Sequence, residues 1–131
     1  MHPVPPNDKA RDLSLAVRNY ATLLTEEHAS IPKLAEQTKN LYQLAKAVTQ
    51  ATSSIQDRQV AADIETLLQT PYCLKNNNQV SILSASENYP KTDELEELVH
   101  SFWENRLALQ RMQEELTLIS SEIIPFPHNK L

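Results

Sequence analysis

Not one of the 131 residues is glycine. Average usage near 7% would place roughly nine in a chain of this length. Glycine serves tight hairpin turns, phosphate-cradling loops and close approaches between backbones. A chain without it is ill suited to sandwiches, barrels, Rossmann units and P-loops, and helices tolerate the loss best. Hydrophobic residues make up 40% of the chain and aromatics only 5%, so the core should be mainly Leu, Ile, Val and Ala. The expected fold class is all-α: an antiparallel helical bundle of three to four helices with a long C-terminal coiled-coil-like helix.

Apolar spacing divides the chain. Residues 1–7, MHPVPPN, form an extended lead-in, because three prolines in six residues forbid a helix. Asn7 or Asp8 can cap the first helix. Residues 8–69 read as helices. Leu13, Val17, Tyr20 and Leu24 step by four and three before a break at Glu27 and a resumption at Ile31. Ser30 and Pro32 then mark a new helix start. Leu34, Thr38, Leu41, Ala45, Val48, Thr52 and Ile55 carry the second stripe. The phase slips at Ile55 to Val60, where Ser54 and Asp57 fit an S-x-x-D cap, so a boundary is placed there. A continuous bent helix over 33–69 is the alternative. Residues 70–91, with an Asn run and two prolines, read as a long loop: either a short helix or strand hides near 80–86, or the segment is mobile and binds something.

Residues 92–122 read as one long helix capped by Thr92, with 123–131 as a Pro-containing tail. Leu95, Leu98, Phe102, Asn105, Leu109, Met112, Leu116, Ile119 and Ile123 keep heptad spacing with one polar member, Asn105. That stripe is a bundle seam or, in the sharper reading, the seam of a homo-oligomeric coiled coil. Val99, Trp103 and Leu107 form a second apolar stripe on the same helix. The chain's only Trp belongs to it, and Trp is favoured at protein interfaces because it buries a large area while keeping a polar handle. Trp103 either packs within the bundle or meets another protein. In the tail, Ile123, Ile124 and Phe126, set off by Pro125 and Pro127, could dock in a groove as an extended segment or cover the bundle itself.

Chemical motifs are sparse. Glu97-x-x-His100, with Glu104 one turn on, has the ligand spacing of di-iron bundles, but those sites need two such elements and carboxylates from two further helices. A solvated charged face is the simpler reading. Cys73 has no neighbouring His or cation cluster in sequence to activate it, and His28 lies near a helix end rather than mid-helix, as a phosphorelay histidine would. No cofactor is implied.

Charge and length bound the setting. The net charge of −5 and pI near 5.3 disfavour nucleic acid and anionic membrane surfaces as partners. No apolar run approaches the ~18 residues of a membrane-inserted helix. One cysteine and no recognisable signal segment lead us to expect a cytoplasmic location. The expected function is a non-enzymatic protein–protein interaction module: an adaptor, a dedicated chaperone or a small subunit of a larger assembly. Its partner would be another protein, or a second copy through the C-terminal helix, bound by Val99, Trp103, Leu107, Ile123, Ile124 and Phe126. The alternatives are a metal-binding or enzymatic bundle using Glu97, His100 and Glu104, and a secreted bacterial effector or regulator.

Overall fold

Short polar side chains open most of the helices, standing in for the backbone partners that a first turn lacks. The computed structural model describes residues 7–51 and 54–123. Helix α1 covers Asn7–Thr25, and α2, Ile31–Ala51, starts after Ser30, whose Oγ accepts from Lys33 N–H at 3.4 Å. Helix α3, Ile55–Gln69, begins behind Ser54, whose Oγ accepts from Asp57 N–H at 3.2 Å. The expected cap therefore forms, and 33–69 is two helices rather than one bent one.

Residues 70–91 do hide regular structure near 80–86, and they hold more of it than a long loop would. They hold a two-stranded antiparallel hairpin, β1 (Pro71–Cys73) and β2 (Gln79–Ser81), and helix α4, Ile82–Asn88. Tyr72 faces Val80 in the ladder. The turn works without glycine because Asn77 takes the left-handed backbone, φ 70°, which Asn tolerates better than most residues. Asn76 Oδ1 accepts from Asn78 N–H at 3.0 Å and the Asn77 N–H reaches Leu74 O at 2.9 Å. Leu74, Val80, Ile82, Leu83 and Ala85 from this segment are buried in the core, so it is no structureless loop.

A correction concerns the last helix, which is two: α5, Glu94–Glu104, and α6, Arg106–Ile123. Asn105 separates them with φ −101° and ψ 85°. Its Oδ1 accepts from Ala108 N–H at 3.2 Å, so it caps α6 and is exposed, not a buried member of a seam. At the start of α5 the cap position belongs to Asp93 and not Thr92, with no side-chain bond. Among the described residues six helices thus stand where three or four were expected, and that part of the chain is predominantly helical with one small sheet. Residues 1–6 and the tail from 124 lie outside the described residues.

One core draws on every helix. Helix α1 lies against α6 and α2, while α2 also meets α3 and α4. Leu13, Val17, Tyr20, Leu34, Leu41, Leu95 and Leu116 are completely or almost completely buried, matching the predicted stripes, and so are Ile64, Leu68 and Ile82; Ile55, placed on the second stripe, is instead exposed at the start of α3. Each such side chain contributes roughly 1.5–3 kcal/mol relative to an exposed one. Polar groups interrupt this core where helices meet, and two contacts between helices satisfy them. Ser14 and Ser120 meet hydroxyl to hydroxyl at 2.7 Å between α1 and α6, with Arg18 Nε donating to Ser120 Oγ at 3.2 Å. Tyr20 donates to Thr38 Oγ1 at 2.6 Å, and Thr38 in turn donates to Leu34 O at 2.7 Å. Burial pushes the Tyr20 phenol well above its ordinary range.

Candidate functional site

Trp103 brings together two stretches that are distant in sequence. Helix α1 stops at Thr25, and the turn after it leaves the Glu26 carbonyl unclaimed by a helix. Ala29 N–H donates to it at 3.3 Å, and the Trp103 indole N–H donates to it at 3.1 Å from the last turn of α5. This draws the α1–α2 turn against the α5–α6 junction, and a solvent-open recess of about 670 Å³ remains between them.

The floor of the recess is apolar, made by Ala29, Ile31, Val99 and Trp103. Val99 is almost fully buried, whereas Trp103 is half-buried and leans on the core. The rim is polar and mainly acidic: Glu27, Glu96 and Glu104 against a single Arg106, with His28 and His100 between them. His100 Nε2 stands 3.2 Å from Glu104 Oε2 one turn away, and both side chains are largely exposed. In water such a pair contributes little to stability.

The proposed metal triad is not assembled. Glu97 turns toward the hairpin, where its Oε2 accepts from the Lys75 N–H at 2.8 Å, leaving only His100 and Glu104 together. Among the described residues no group of three His, Cys, Asp or Glu is placed to hold a metal. Cys73 sits exposed on β1. Among the described residues no helix is long and apolar enough to cross a membrane.

The second apolar stripe is divided by the break at Asn105. Val99 and Trp103 belong to the recess, while Leu107 does not line it and stands 73% exposed on α6. Ile123 is half-buried against the core at the end of α6; Ile124 and Phe126 lie outside the described residues. Sequence reasoning missed the opposite wall, Glu27 to Ile31. No spacing or motif links residue 27 to residue 100; the folded chain brings them together through the indole bond to Glu26 and packing on the shared core.

A second aromatic contact closes the other side of α5. Tyr72 from the hairpin meets Phe102 edge to face, with ring centroids 5.1 Å apart. Partial burial, and then the negative charge of Glu115, raise the Tyr72 phenol above its usual value. The hairpin is thereby fastened to α5 by a ring contact and by the Lys75–Glu97 bond. The chain matches no protein-family model, no curated protein and no solved structure.

Proposed function

We propose that this chain is a non-enzymatic protein-interaction module, an antiparallel helical bundle working in the cytoplasm as an adaptor, dedicated chaperone or small subunit. Its recess beside Trp103 receives a segment of another protein that presents an apolar side chain next to a basic one. The observation that carries this reading is the composition of the recess. An apolar floor of Ile31, Val99 and Trp103 lies under a rim with three carboxylates and one guanidinium. An apolar anchor gains by leaving water, and a neighbouring Lys or Arg gains from the rim. The bound segment would complete the burial of the indole, the kind of side chain on which interface energy concentrates.

The test is a tagged pull-down from the native source, with bound proteins identified by mass. Ala29→Arg fills the recess, and Glu27→Arg with Glu104→Arg reverses its rim. A stoichiometric partner held by the wild type and lost from both variants, with melting temperatures unchanged, is the expected result. A partner retained by both variants would move the site off this recess.

A further inference from the structure

The seam that heptad spacing offers for self-association is spent inside the fold: Leu109, Met112 and Leu116 of α6 are buried in the chain's own core with Ser120. The opposite pole of α6 remains. At 100° per residue, Leu107, Arg111, Glu114 and Leu118 fall within about 60° of one another and roughly half a turn from the buried stripe. All four are exposed, Leu107 by 73% and Leu118 by 63%. These two are among only four large hydrophobic residues so exposed among the described residues, and they share one helix face. Their spacing of four, three and four is that of a coiled-coil seam.

We propose that this face pairs with the same face of a second copy, the two α6 helices running antiparallel about a two-fold axis. A two-fold contact must be self-complementary, each residue meeting its counterpart in both directions. The four positions satisfy this condition. Leu107 and Leu118 lie equally far on either side of the point between Met112 and Gln113, and so do Arg111 and Glu114. Antiparallel pairing centred on that point sets each Leu107 against the other copy's Leu118, and each Arg111 against its Glu114. Two ion pairs occupy the middle and two leucine pairs the ends. Parallel pairing would instead place Arg on Arg and Glu on Glu. Charge complementarity thus selects both the occupant and its direction.

The seam is short, about 17 Å along the helix, so it buries less than a standard interface of about 1,600 Å². The dimer is accordingly weak, and it uses a surface distinct from the recess. Variants of the recess rim leave it intact, so either proposal can fail alone.

The experiment is sedimentation equilibrium of the full chain over a concentration series reaching ~1 mM, a range suited to dissociation constants in the micromolar region. Arg111→Glu and Glu114→Arg are each expected to weaken dimerisation by about tenfold or more, since each sets like charges opposite one another. The double exchange, Arg111→Glu with Glu114→Arg, restores it. In a Cys73→Ser background, chains carrying Leu107→Cys cross-link to chains carrying Leu118→Cys, and neither cross-links with itself. A monomer throughout the series, a dimer indifferent to either reversal, or a double exchange that fails to rescue would overturn the proposal. Cross-linking of Leu107→Cys to itself would overturn the antiparallel direction. Circular dichroism of each surface variant confirms that it folds.

Discussion

Trp103 donates its indole N–H to the carbonyl of Glu26, 77 residues earlier in the chain, at 3.1 Å. That bond adds a second donor, beside Ala29 N–H, to a carbonyl in the turn after α1 and ties the recess walls together, so the residue expected at a partner interface is also structural. Trp103→Phe keeps most of the apolar surface and removes only the donor. It should lower unfolding free energy by about 1 kcal/mol, seen as a lower urea midpoint with unchanged slope. Trp103→Ala also empties half-buried volume and should cost about twice that. A Phe variant as stable as the wild type would mean the bond contributes nothing to the fold.

Asn105 offers a sharper choice between two roles. As the cap of α6 it should tolerate Asp, while Asn105→Ala should cost about 1 kcal/mol. As a polar residue buried in a seam it would instead be improved by Leu. Thermal unfolding of the Asp, Ala and Leu variants separates the cases, and Asn105→Leu is expected to be destabilising. It removes the Ala108 cap and exposes another apolar side chain.

The break at Asn105 also shows where sequence reading stops. Phe102 and Leu109 are seven apart and both buried, so heptad spacing runs through a point where the backbone does not remain helical. Periodicity reports which face is apolar; it carries no record of a single residue leaving helical geometry. The same periodicity worked wherever a face meets the core, as at Leu13, Val17, Tyr20 and Leu24. Local capping chemistry was equally readable at Ser30 and Ser54. The hairpin was hidden because its turn lacks the usual glycine signal. The recess was hidden for another reason: its walls meet through core packing and a side-chain bond to a backbone carbonyl, and any residue could supply that carbonyl.

Asn77 tests the idea that asparagine replaces glycine in the hairpin. With φ at 70°, Asn77→Gly should be neutral or slightly stabilising. Asn77→Ala should cost about 1 kcal/mol, because its Cβ crowds the following carbonyl without a polar side chain to compensate. Hydrogen exchange of the β1–β2 amides provides a local readout, with faster exchange expected in the Ala variant. Equal protection in all three chains would remove backbone conformation as the reason for Asn at this position.

Tyr20 provides a pH-dependent check on the core. Its hydroxyl is fully buried and donates to Thr38, and burial holds the phenol well above the value near 10 expected of an exposed tyrosine. The raised folded-state value fixes the sign: this contribution is fully present below pH ~10 and is lost as pH rises beyond it, because the unfolded chain releases the proton first. Wild-type stability should therefore fall in that range by up to about 1.4 kcal/mol per pH unit from this group alone. Tyr20→Phe has no proton to release. It should be about 1 kcal/mol less stable than the wild type at pH 7 for want of the Thr38 bond. The difference should then shrink and reverse as pH climbs above 10. Urea unfolding of both chains from pH 7 to 11 measures it, and a constant difference would show that the Tyr20 hydroxyl ionises as easily in the folded chain as in the unfolded one.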